Sequence, residues 1–132
     1  MIWRYSEEAF RKMGKKQTVQ ELLYVNLEAG MPSLAEAYRS MGQFINQAKH
    51  SGIRVVKIIH GYGSSGVGGK LRIGLRQELA ARKQSGKIKD FFAGERFGKT
   101  EEVMPYLNQY SQLSRDPDFG RGNAGITIII LY

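Results

Sequence analysis

Apolar and polar positions along the chain repeat with two different periods, and each period marks a kind of element. From Glu21 to Leu27 the run ELLYVNL is short and rich in apolar residues, and it reads as a strand. Ser33 with Glu36 three residues on forms a capping box, which predicts a helix start. Leu34, Ala37, Tyr38, Met41, Ile45 and Ala48 then share one face at a period of 3.6, until Gly52 supplies a stop. Ile53 to His60 is nearly continuous in apolar residues, the pattern of a central strand buried on both faces of a parallel sheet. A second helix is predicted from about Lys70 to Lys83. Leu71, Leu75 and Leu79 make its apolar stripe, and Lys70, Arg72, Arg76 and Lys83 lie largely off it. Lys87 to Phe92 reads as a third strand. Gly125 to Leu131, GITIIIL, reads as a last one, β-branched enough to be interior.

Strands alternating with helices give an α/β fold: a single-domain, two-layer β-α-β-α-β-(insert)-β sheet with right-handed crossovers and helices packed on it. A chain of 132 residues suits one such domain. Residues 1–18 are expected to be a basic arm or short helix, with Trp3, Phe10 and Met13 at spacings that share a helical face, and residues 19–132 the domain proper. Residues 94–124 carry Pro105, Pro117 and four glycines; a helix from Thr100 and a surface excursion near Asp116 to Asn123 are expected in this insert.

Composition narrows the classes of function. With 42% hydrophobic and 24% charged residues the chain has a globular balance. No apolar run approaches the ~18 residues of a membrane span, so no membrane partner is expected. The first fifteen residues lack the pattern of a signal peptide, and there are no cysteines. Disulfides, zinc ribbons and thiol nucleophiles are therefore excluded, and a reducing, cytoplasmic setting is expected.

The net charge of +8 is unevenly spread. Between Lys49 and Lys99 there are twelve basic and three acidic residues, a net +9, whereas the rest of the chain holds eight basic and nine acidic. A basic middle on a nearly neutral frame is the footprint of a phosphate-backbone binder, though a solvated cationic face gives the same count.

Chemistry concentrates after the central strand. His60, Gly61, Tyr62, Gly63, Ser64, Ser65, Gly66, Gly68 and Gly69 lead from that strand into the second helix. In an open α/β sheet this is where ligands bind. Glycines let backbone N–H groups approach an anion, and the helix offers its positive end, so the loop is a candidate phosphate cradle or else a plain connector. A Walker loop is not present: Ser64 stands five before Gly69, and Leu71 occupies the place of the magnesium-binding hydroxyl. His60 is a candidate general acid or base, or a hydrogen-bonding partner of a loop carbonyl. His50, near the end of the first helix, suits the negative dipole end. No HExxH, Gly-x-Ser-x-Gly or clustered metal ligands appear, so neither a metal nor a cofactor is expected.

The segments VNLEAGMPSLAEA, VKIIHGYGSSGVGGKLR and GITIIIL together resemble the Smr domain, the small MutS-related module, over about Leu23 to Leu131. The resemblance implies an Smr-like fold that binds structured or branched DNA, or RNA, and nicking endonuclease activity in some members. In those members an LDxH motif ends the first strand, and its Asp and His contribute to cleavage. Here the matching residues are Val25, Asn26, Leu27 and Glu28, so both groups are replaced, and Glu28 is the candidate substitute. Three functions remain open. One is nucleic-acid binding through His60 to Gly69 with Lys70, Arg72, Arg76 and Lys83. Another is a nicking endonuclease using His60 and Glu28. The third is an interaction module for an acidic protein or ribosomal partner.

Overall fold

The structure, a computed structural model, describes residues 2–3, 21–62 and 67–132. Five strands form one sheet in the order β1-β2-β3-β5-β4: β1 Ile2–Trp3, β2 Leu23–Asn26, β3 Val55–Ile59, β4 Asp90–Ala93 and β5 Ile126–Ile130. Helix α1, Leu34–His50, links β2 to β3, and α2, Val67–Gln84, follows β3. Two four-residue helices, α3 Met104–Leu107 and α4 Gln112–Arg115, lie in the insert. The α/β architecture, the central β3 and the interior β5 are as the sequence predicts. The pairing is mixed rather than parallel. β2 and β3 run parallel, whereas β5 is antiparallel to both β3 and β4.

The capping box at α1 is complete. The Ser33 hydroxyl accepts from the Glu36 amide at 3.1 Å, and the Glu36 carboxylate accepts from the Ser33 amide at 2.9 Å. Those bonds hold the exposed Glu36 carboxyl below its ordinary pKa. Helices α1 and α2 cover one face of the sheet. Met41, Phe44, Ile45, Leu71, Leu75 and Leu79 pack on Val25, Val56, Ile58 and Ile129. A Cβ on Gly74 would come within 2.7 Å of Leu34 and one on Gly42 within 3.2 Å of Arg82. The helices therefore run parallel, with both amino ends at one edge of the sheet.

The other face explains why β3 and β5 lack alternation. Val55, Ile128 and Ile130 point to this side and meet Phe92, Phe97, Val103, Tyr110 and Leu113, most of them from the insert. The expected surface excursion thus has a buried side, and both-face burial, not parallel pairing, made the strands continuously apolar. Thr100 opens a turn rather than the helix, which begins at Met104 with Pro105 in its first turn. Trp3 belongs to a strand, paired with Val25, instead of a helical face; Phe10 and Met13, with the rest of the expected arm, lie outside the described residues.

One buried ion cluster fastens the insert to the sheet. Lys57 sits mid-β3 with its side chain 6% exposed; its ammonium donates to both Asp116 oxygens, at 2.9 and 3.0 Å, and to Asp118 at 2.9 Å. Burial alone would lower the Lys57 pKa, but the bonds to Asp118 and Asp116 outweigh it and leave it raised. Removing one partner of such a pair costs about 3–5 kcal/mol, because a charge is left buried without compensation. Asp116→Ala, with Asp118 still in place, is expected to lower stability in urea unfolding by about 3 kcal/mol, and Lys57→Met with Asp116→Leu to recover most of it. A loss under about 0.5 kcal/mol for Asp116→Ala would show that the cluster does not hold the insert.

Candidate nucleic-acid interface

Because β2, β3 and β4 point the same way and β5 opposes them, the carboxyl ends of the first three and the amino end of β5 share one edge. Four loop segments converge there. Asn26 ends β2, and its Oδ1 accepts from the amides of Glu28 at 2.9 Å and Ala29 at 3.1 Å, which bends the chain into α1. The Gly125 carbonyl accepts from the amides of His60 and Gly61, tying the end of β3 to the loop before β5. Gly61, at φ +85°, lies against the exposed Glu28 side chain: a Cβ there would fall 1.9 Å from Oε2. The positive φ favours glycine, whereas the flexible end of the exposed Glu28 side chain can swing aside. Gly94, following β4, is constrained, since its Cβ would overlap the Asn123 carbonyl.

His60 is fully buried. Its Nδ1 donates to the Gly61 carbonyl at 3.0 Å, which leaves Nε2 as the acceptor, at 2.8 Å from the Thr127 hydroxyl. That hydroxyl in turn accepts from Arg76 Nε at 2.9 Å. The three groups thus form a directed chain from Arg76 through Thr127 to a neutral imidazole. Burial, reinforced by the charges of Arg76 and Arg72 and opposed by the Gly61 bond, pushes the His60 pKa down to about 4.

Arg76 is the hub of this edge. Besides Thr127 it donates to both Glu95 oxygens, at 2.9 and 3.3 Å, and to the carbonyls of Ala124 and Ile126. Burial would raise the Glu95 carboxyl; the bonds from Arg76 outweigh it and hold the pKa below its usual range.

The residues singled out from sequence therefore separate. Arg76 points into protein and fixes loops. Lys83 pairs with Asp90 at 2.9 Å, and thirteen residues of helix at 1.5 Å each put it about 20 Å from Lys70. Exposed Lys70 and half-buried Arg72 lie two residues apart within the first two turns of α2, and neither makes a hydrogen bond or ion pair among the described residues. Gly68 and Gly69 are already helical, because α2 begins at Val67 and not at Lys70. Gly63, Ser64, Ser65 and Gly66 lie outside the described residues. Glu28 sits beside Gly61, whereas Tyr62 projects into solvent, 60% exposed. Sequence reasoning missed Thr127 and Glu95; the one polar residue inside the apolar run GITIIIL was the signal for the first. Among the described residues no three His, Cys, Asp or Glu side chains gather in a way that would hold a metal ion, and no helix is long and apolar enough to cross a membrane.

The model of the Smr domain family matches residues 29–99, more than half of the chain, from the turn after β2 through α1, β3, the glycine loop, α2 and β4. The chain belongs to the Smr domain family. The fold agrees: the crystal structure of the Smr domain of Thermus thermophilus MutS2 is similar to it with a TM-score of 0.52 and 21% sequence identity, over 83% of this chain and 96% of that one. No curated protein matches the chain. In this Smr domain the match ends at Lys99, so most of the insert that carries Asp116 and Asp118 lies beyond it.

The depressed His60 pKa has a defined consequence for stability. Between pH 6.5 and about 4 the unfolded chain binds a proton at this site that the folded chain does not, so stability falls as pH falls through that window. The loss is of order 3 kcal/mol, complete below about pH 4. His60→Gln, which keeps a partner for Thr127 but does not titrate, is expected to be less stable at pH 7 and to show a shallower dependence between pH 4 and 6.5 in urea unfolding. Equal slopes in parent and variant would mean that His60 is accessible to protons.

Proposed function

We propose that this Smr domain binds nucleic acid at the edge formed by the carboxyl ends of β2, β3 and β4, and that it does so without efficient phosphodiester cleavage. The observation that carries this reading is the charge at the start of α2. The helix has no acidic residue in its first turn, and it places Lys70 and Arg72 within its first two turns with no hydrogen bond or ion pair among the described residues, although the Arg72 charge reaches Glu95. Cations there oppose the helix dipole and weaken the helix, whereas a bound phosphate would be favoured by dipole, ammonium and guanidinium together. Smr domains are in general associated with nucleic-acid binding and endonuclease activity, which supports the same choice.

Cleavage is the weaker half of the family's repertoire for this chain. An acid or base must reach the substrate and titrate near neutral pH, and a buried, neutral His60 with both ring nitrogens engaged meets neither condition. The Asn26 amide, engaged with two backbone N–H groups, has no proton-accepting chemistry to offer. The exposed Glu28 is the one carboxylate at the loop junction available for such a role.

Affinity for duplex DNA is expected to fall linearly in log–log form with salt, and loss of Lys70 or Arg72 to lower that slope by about 0.9 each, with thermal stability unchanged. Arg76→Ala, by contrast, is expected to lower the unfolding temperature. Incubation with labelled duplex, branched and single-stranded substrates should leave them intact; cleavage abolished by Glu28→Gln would overturn the binding-only reading. A salt-independent affinity would remove the phosphate contacts altogether.

A further inference from the structure

Five large hydrophobic side chains are exposed among the described residues, and phosphate binding explains none of them: Met31, Tyr62, Ile73, Met104 and Tyr132. Arg54 lies 5.4 Å from the Tyr132 ring, and Met104 belongs to the insert. The other three belong to segments that meet at or near the proposed binding edge. Met31, 73% exposed, closes the turn that contains Glu28, its amide donating to the Glu28 carbonyl at 3.1 Å. Tyr62 follows Gly61, against which the Glu28 side chain rests. Ile73 adjoins Gly74, where α2 touches Leu34, the first residue of α1.

Met31 is also the one non-glycine residue at positive φ, +50°, among the described residues. A methionine held in the left-handed region and in water is doubly unfavourable, and such strain clusters at ligand sites. The outer surface of a duplex offers phosphates and sugars, which give apolar side chains and an aromatic face little to bind. An unpaired base offers a flat apolar face on a strand whose phosphates lie within a few ångströms.

We infer that this edge captures an unpaired nucleobase, with Tyr62 as the stacking surface, Met31 as its apolar flank, and Lys70 and Arg72 on the adjoining phosphates. The inference deepens the nucleic-acid reading and rests on it: the substrate class becomes single strands, bulges or loops rather than continuous duplex.

The test compares one fluorescein-labelled oligonucleotide, as DNA and as RNA, alone and annealed to its complement, by anisotropy with the full chain at fixed salt. The parent is expected to prefer the single strand. Tyr62→Ala is expected to weaken that binding about tenfold while leaving duplex affinity nearly unchanged, and Tyr62→Phe to behave as the parent. An oligonucleotide carrying 2-aminopurine is expected to be quenched by the parent and by Tyr62→Phe, and not by Tyr62→Ala. Equal affinity for single strand and duplex, or equal weakening of both by Tyr62→Ala, overturns base capture while the phosphate-binding reading stands. Absence of binding to every form removes both. The DNA and RNA arms distinguish which strand supplies the base.

Discussion

The Arg76 guanidinium makes five hydrogen bonds to four residues, and the shape of the sheet edge depends on them. It joins α2 to the loop before β5 through the carbonyls of Ala124 and Ile126, and to the turn after β4 through Glu95. Through Thr127 it also fixes the ring of His60, whose own donor closes on the Gly61 carbonyl. A planar, permanently charged donor set can hold several acceptors at once in fixed directions, which a lysine at the same place could not do. The turn after β4, the segment leading into β5 and the His60–Gly61 end of β3 are thereby tied together.

This arrangement divides the basic residues by task. Arg76 is neutralised by Glu95 and works inward, Lys57 is neutralised by Asp116 and Asp118 on the opposite face, and Lys83 is paired at the far end of α2. At the carboxyl edge, the cations among the described residues that no ion pair engages are Lys70 and Arg72 near the start of α2. An uneven charge count therefore overstated the size of the binding surface, since net charge along a sequence does not record which cations are already paired.

Much of the fold was legible because its elements carry local signals. The Ser33–Glu36 box, the Leu71, Leu75 and Leu79 stripe and the apolar runs of β3 and β5 each follow from a period or a cap, and each is found. Strand direction was not legible. A run buried on both faces looks the same whether its neighbour is parallel or antiparallel, and the second cover came from an insert whose hydrophobic residues follow no regular period. The site was legible in place but not in role. The HGxG loop located the edge, and Glu28 does lie beside it. The task of His60 was set by Thr127, 67 residues away, a contact that no local spacing announces.

In the proposed function, ligand meets the cations and loops at the carboxyl edge, while the Arg76 network and the Lys57 cluster only hold the frame. Amide chemical-shift mapping during titration with a single-stranded oligonucleotide examines every part of the described surface at once. Perturbations are expected to be confined to Glu28–Met31, Gly61–Tyr62 and the Lys70–Ile73 segment of α2, with Lys57, Lys83 and the Asp116–Asp118 segment unaffected. Shifts centred on Lys83, Lys87 and Lys89 at the opposite end of the sheet, with the edge silent, would contradict it.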